Sequence, residues 1–261
     1  MDYGGDRNPA LAIERLNVIA LGIKESDGRH LFTAHPQPEV SAIDQFSGGG
    51  WLDVNTTYTY EIVHKKLIRD YNRKPVTPFF LMESTYENEH NATEVQLRRQ
   101  AYWSILCGGF GHVFGCWPVW GFGSPRGPAG FPTNKWKDAL DLPGSVGMKH
   151  WGEFFRSNRW YDFVPDQKHE VVTRGLGEFN GLNYVSAAFS SDGESLLAYL
   201  PVQSTITVDL KIMNCKNAIS RWFNPRDGTY SLEEKFINDC SKEFTSPTDD
   251  DWLLVIDEDR G

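Results

Sequence analysis

Two carboxylates stand out as residues that could do chemistry. Glu83 closes the apolar part of the run Pro78-Phe79-Phe80-Leu81-Met82-Glu83-Ser84-Thr85-Tyr86-Glu87, where four apolar residues lead without a polar break into an acid. Asp6 lies far upstream in the glycine-rich turn Tyr3-Gly4-Gly5-Asp6-Arg7-Asn8-Pro9. Hydrolysis of a glycosidic bond asks for such a pair: one carboxylic acid protonates the leaving oxygen while the other attacks the anomeric carbon or activates water. Taken alone, each acid reads as a solvated loop residue. What raises the pair above that is its company. His35, Asn55 and Tyr86 are placed to orient a carboxylate or a hydroxyl, and Trp117 and Trp120 supply aromatic faces on which a sugar ring can stack. His112, inside an apolar run, reads instead as a core histidine.

Chemistry of this kind needs a scaffold that brings distant acids to one rim. The run before Glu83 predicts a strand buried on both faces, as in parallel sheets, and the segment from about Ala92 to Leu106 predicts the helix that follows it. Upstream, Asn8-Pro9 starts a helix of about Ala10 to Leu21. His30 to His35 and Trp51 to Asn55 read as short strands, Tyr58 to Tyr71 as a helix, and Gly109 to Cys116 as one more strand. Strand and helix alternate every 25 to 35 residues, which argues for a parallel α/β sheet or barrel with its site at the carboxyl ends of the strands. Only about five such units fit before residue 160, whereas a closed eight-stranded barrel takes about 250 residues. After a helix of about Ser145 to Ser157 and Pro165, the pattern changes to short β-rich runs with hairpin-type turns at Asp192-Gly193 and Asp227-Gly228. Their close spacing predicts a small antiparallel β-sandwich.

The 261 residues therefore divide into 1–163 and 164–261. A formal net charge of −9, with no Lys/Arg-rich run, excludes a nucleic-acid partner, and no apolar run is long enough to insert into a membrane. Nine tryptophans among 13% aromatic residues fit either a well-packed core or carbohydrate binding. Cys107, Cys116, Cys215 and Cys240 show neither a metal-ligand spacing nor a decisive disulfide pattern.

Several motifs, taken in order, resemble a known family. Gly4-Gly5-Asp6-Arg7-Asn8-Pro9, Thr33-Ala34-His35-Pro36, Trp51-Leu52-Asp53-Val54-Asn55 and Glu83-Ser84-Thr85-Tyr86-Glu87 are followed by Arg98-Arg99-Gln100-Ala101-Tyr102-Trp103 and Gly108-Gly109-Phe110-Gly111. Together they resemble the apiosidase-like glycoside hydrolases, related to glycoside hydrolase family 140, which are (β/α)₈ barrels. The resemblance implies a carbohydrate substrate, Asp6 as general acid/base and Glu83 as nucleophile, no cofactor, and a secreted or periplasmic location. It also implies that residues 1–163 correspond to about strands four to eight of a TIM barrel, so that the front of the barrel is missing. An open parallel edge of that kind predicts self-association. Where many family members carry Gln-Ser-Gly-His after the Asp-x-Asn strand, this chain has Tyr58-Thr59-Tyr60-Glu61, so the family's substrate contacts there do not transfer. Leu197-Ala198-Tyr199-Leu200-Pro201, Trp222-Phe223-Asn224-Pro225-Arg226-Asp227-Gly228 and Asp251-Trp252-Leu253-Leu254-Val255 are similar to the C-terminal module named as a collagen-binding domain. Nothing in those residues indicates collagen, and the module reads as a buttress for the barrel. The rival reading is a non-catalytic carbohydrate-binding or structural remnant of such an enzyme.

Overall fold

The computed structural model of the protein describes residues 12–122 and 136–261. Asp6 and its glycine-rich turn lie outside the described residues.

The first part alternates helices with parallel extended segments. α1 (Ile13–Ser26) and the short α2 (Ala42–Gln45) precede β1 (Asn55–Tyr58), α3 (Val63–Tyr71), β2 (Phe79–Glu83) and α4 (Glu94–Leu106). β1 and β2 pair in parallel, from Asn55 opposite Phe79 to Tyr58 opposite Glu83, so Tyr58 and Glu83 share the carboxyl end. Thr93 caps α4 by accepting from the Gln96 amide at 3.2 Å. α5 (Trp117–Trp120) and α6 (Pro143–Ser157) complete this part.

Three expected strands differ. The segment around Phe32 to His35 is extended but forms no ladder; the Phe32 amide is taken by the Asp53 side chain at 2.9 Å, and Pro36 and Pro38 end the run. The backbone amides of Asp53 and Val54 both go to the Phe32 carbonyl, the Thr33 hydroxyl donates to the Val54 carbonyl at 3.0 Å, and the strand begins at Asn55 rather than ending there. The segment 109–116 touches the sheet through single parallel bridges, Leu81 to His112 and Glu87 to Cys116. Gly109, Gly111 and Gly115 interrupt it, and glycines offer a ladder no side chains to pack.

The second part is built of antiparallel sheets. β3 (Phe163–Pro165), β4 (Val172–Arg174), β5 (Ser186–Ser190), β6 (Ser195–Leu200), β7 (Thr205–Asp209), β8 (Asn217–Phe223), β9 (Glu234–Ile237), β10 (Ser241–Thr245) and β11 (Trp252–Glu258) follow in order. Six of them form a sheet in the order β3-β5-β6-β11-β8-β9, and β10-β7-β4 form a second sheet. The adjacent strands β6 and β11 are continuously apolar over Leu196–Leu200 and Trp252–Ile256 because both faces are covered. Leu196, Ala198, Leu200, Leu254 and Ile256 join one core with Val172, Ile206, Val208 and Phe244 of the smaller sheet. The alternate residues Leu197, Tyr199, Leu253 and Val255 join a different core with Leu67, Trp103, Leu106, Phe154 and Phe155 of the helices. Side chains on a strand point to opposite faces with a period of two, so one pair of strands serves both cores.

The two parts therefore share one apolar core. Tyr102 of α4 stacks on Tyr199 of β6 with ring centres 4.7 Å apart and planes 4° from parallel. Beside them Arg98 donates from Nε and Nη2 to the fully buried Asp251 at 2.9 and 2.7 Å, and the Tyr199 hydroxyl donates to the same carboxylate at 2.9 Å.

Candidate active site

Glu83 sits at the end of β2 with 7% of its surface exposed, at the rim where the parallel segments finish. The β1–β2 register carries the chain after Tyr58 past that same end, and the Thr59 amide donates to the Glu83 carbonyl at 3.1 Å. Tyr60 then turns inward. Its amide is fixed by Glu39 Oε1 at 2.7 Å, and its hydroxyl reaches Glu83 Oε1 at 3.3 Å. On the other side His35 Nε2 lies 2.7 Å from Glu83 Oε2, with its ring tilted against Tyr58 at 5.2 Å. A third donor is the Tyr86 hydroxyl; burial, and then the charge of Glu83, push this phenol well above its ordinary range. Three donors thus converge on one carboxylate, stabilising its negative charge and fixing its direction.

The loop behind Glu83 is held from outside. Gln100 of α4, itself buried, donates to the Thr85 carbonyl at 3.1 Å, and Gln96 donates to the Thr85 hydroxyl at 3.1 Å. The Tyr86 ring lies so close over Gly115 that any β-carbon there would sit 2.2 Å from it. That contact explains a glycine in the segment leading to the tryptophans.

Trp117 and Trp120 stand on α5, which Pro118 starts, and stack at 4.7 Å. Trp120 is 63% exposed. A groove of about 360 Å³ runs from Tyr86 past Val113 and Gly115 to Trp120, so Trp120 and Tyr86 line one surface.

The structure thus gathers His35 and Tyr86 at Glu83, sets Trp120 with Tyr86 along one groove and Trp117 against Trp120, and does not bring Asn55 there. Asn55 is 1% exposed at the opposite end of β1, where its Oδ1 accepts the Ile43 amide at 3.0 Å. The reason is the late start of the strand, which puts Asn55 at its amino end. Asp6 lies outside the described residues. Glu87 accepts the Gly144 amide at 2.7 Å at the start of α6. Burial pushes its carboxyl upward, against the pull of the Gly144 and Ser145 amides. His112 is half-buried with its ring edge-on to Trp151 at 6.3 Å, and desolvation lowers it to about 4. Tyr60 is the site residue that sequence reasoning missed; its only signal was its place just beyond a strand end.

Comparison with known proteins now bears on this geometry. The family model "Apiosidase-like, catalytic domain" matches residues 3–162, more than half of the chain. The chain belongs to the apiosidase-like family. A second model, "Putative collagen-binding domain of a collagenase", matches residues 164–257. Among solved structures the chain is similar to a glycoside hydrolase family 5 protein from Bacteroides vulgatus, with a TM-score of 0.86 and 23% identity over 98% of this chain and 62% of that one. A second structure, titled a glycoside hydrolase, gives a TM-score of 0.87 and 21% identity over 100% of this chain and 64% of that one. The chain thus spans less than two thirds of the length of both. A family 30 endoxylanase from Clostridium papyrosolvens is more distant, with a TM-score of 0.57 and 8% identity over 99% of this chain and 65% of that one. At these identities the likenesses establish a mixed α/β glycoside-hydrolase fold with an attached sheet domain. No curated protein sequence matches the chain. Among the described residues, no helix is long and apolar enough to cross a membrane.

Proposed function

We propose that this chain is a glycoside hydrolase that cleaves bonds in polysaccharide side chains, with Glu83 as nucleophile and Asp6 as general acid/base. The observation that carries the proposal is the convergence of His35, Tyr60 and Tyr86 on the Glu83 carboxylate, beside a groove floored by Trp120. In this reading a sugar ring stacks on the tryptophans with its anomeric carbon facing Glu83. A Glu83 oxygen forms the bond to that carbon as the glycosidic C–O bond breaks, and Asp6 gives its proton to the departing oxygen. Asp6 then takes a proton from water, which attacks the glycosyl ester and releases Glu83. His35 and the two tyrosines hold the nucleophile in line without changing partners. Residues 1–163 are proposed as about strands four to eight of a (β/α)₈ barrel, and 164–261 as a β-sandwich that buttresses it through the Tyr102–Tyr199 and Arg98–Asp251 contacts.

The test is Glu83→Gln, assayed on a panel of plant and microbial polysaccharides and aryl glycosides. The substitution keeps the shape and removes the nucleophile, so turnover falls by about 10³-fold or more while circular dichroism stays that of the wild type. Equal activity of the variant on every glycoside the wild type cleaves would overturn the assignment.

A further inference from the structure

A second cavity lies one residue away from Glu83. It measures about 450 Å³ and opens between the start of α3, the face of α4 and the loop around Asn180 and Leu182 of the second part. Tyr60 lines it on the side facing the active site. Its most unusual wall is Arg99. This residue is only 7% exposed, yet among the described residues no carboxylate lies within ion-pairing distance of its guanidinium. Its neighbour Arg98 has taken Asp251, and Glu61, which also lines the cavity, lies 3.3 Å from Lys66 instead. Arg99 makes one hydrogen bond with the described residues, from Nη1 to the Leu182 carbonyl at 3.2 Å, and lies 5.3 Å over the ring of Trp103. Five N–H donors in a planar fork are thus mostly uncommitted at the edge of an open space.

A buried charge without a counter-charge is expensive to keep, and an arginine stays ionised in proteins. Holding the loop through one carbonyl does not require an ion; a neutral donor would serve. Desolvation accordingly pulls the guanidinium below its ordinary range. The remaining walls add a second cation, Lys65, exposed at the rim, and the amide side chains of Gln100 and Asn180.

We propose that this cavity binds a hydroxylated carboxylate, such as an acidic monosaccharide unit. The carboxylate pairs with the Arg99 fork, which the Trp103 ring beneath it holds in place, and the amides meet the hydroxyl groups. A carboxylate matches the guanidinium in two parallel hydrogen bonds, and the amides at the other end distinguish a hydroxylated ligand from a bare inorganic anion. The site goes beyond the Glu83 reading and does not depend on it.

Isothermal titration of the full chain with sodium glucuronate, glucose and sodium sulfate tests the proposal. Measurement in the Glu83→Gln background excludes occupancy that depends on the active-site carboxylate. Glucuronate is expected to bind at least about tenfold more tightly than glucose or sulfate, with the same affinity in Glu83→Gln. Arg99→Met is expected to weaken glucuronate by about tenfold or more, Arg99→Lys by less, and Lys65→Ala by a few-fold. Equal binding of glucose, tighter binding of sulfate, or an unchanged affinity in Arg99→Met would overturn it. Should Arg99→Met fail to fold, the ligand comparison on the wild-type chain and the Lys65→Ala titration still decide.

Discussion

The interface between the two parts makes a demanding prediction. Asp251→Asn keeps the shape of a fully buried side chain and removes its charge. Arg98, 5% exposed, then loses a bidentate partner at 2.7 and 2.9 Å and, among the described residues, retains only the carboxylate of Glu94, 3.8 Å away and 58% exposed. Arg226 Nη1, 3.6 Å from the same carboxylate, keeps Asp250 at 3.7 Å and loses less. Removing one partner of a buried pair leaves an uncompensated ion and costs about 3–5 kcal/mol. That is a large share of a stability of about 5–15 kcal/mol. At about 2–4 °C per kcal/mol for a chain of this size, the melting temperature falls by about 6–20 °C. Urea unfolding measures the loss as a shift of midpoint at constant slope. The variant Arg98→Met/Asp251→Leu, which removes both charges, is expected to recover most of it. Because the cluster of Leu67, Trp103, Phe154, Tyr199 and Leu253 belongs to both parts, they should unfold in one transition. A loss below about 1 kcal/mol in Asp251→Asn, or two resolved transitions in the wild type, would refute the account of a fused core.

Three further outcomes follow from the site and its surroundings. Tyr60→Phe and Tyr86→Phe each remove one donor to an ionised carboxylate, worth about 1.5–3 kcal/mol, so kcat should fall by about 10–150-fold in each, with little change in melting temperature. Trp120→Ala removes an exposed ring, so stability should change by less than about 0.5 kcal/mol while KM on polysaccharide rises by about tenfold; an unchanged KM would remove the sugar platform. His64 and His112 are both lowered by burial to about 4, so the folded chain keeps them neutral where the unfolded chain takes up protons. Their contribution to stability is present above about pH 6.5 and is lost as pH falls from there to about 4. His112→Gln should flatten that part of the curve, and an identical pH dependence would contradict it.

Much of the scaffold was legible because local rules decided it. α4 begins after a threonine cap, and α6 carries proline at its first turn, so both fall within two residues of their expected bounds. The hairpin-type turn at Asp192-Gly193 joins the antiparallel strands β5 and β6, as its residues indicate. β9 and β10 escaped because their residues are mostly exposed and polar, leaving no apolar pattern to read. At the site, Glu83 was visible as an acid closing a buried strand. Tyr60 was not, because its approach to Glu83 is created by the parallel register of two segments 20 residues apart, which no local pattern encodes. Asn55 was misplaced for the same reason, since one strand that starts late moves a side chain from the carboxyl end to the amino end. Arg99 looked like an ordinary member of a helical motif, and its isolation shows only once the loop at Leu182 is folded over it.

The central claim, that Glu83 is the nucleophile, is tested most directly by chemical rescue of Glu83→Ala with sodium azide. Alanine opens a space where the carboxylate stood, and azide can enter it and attack the anomeric carbon in place of Glu83. The account predicts that Glu83→Ala is inactive on an activated aryl glycoside that the wild-type chain hydrolyses. It further predicts that azide restores turnover and yields a glycosyl azide whose anomeric configuration is opposite to that of the substrate. Unimpaired hydrolysis by Glu83→Ala without azide, or an inactive variant that azide fails to revive although its circular dichroism is that of the wild type, would contradict it.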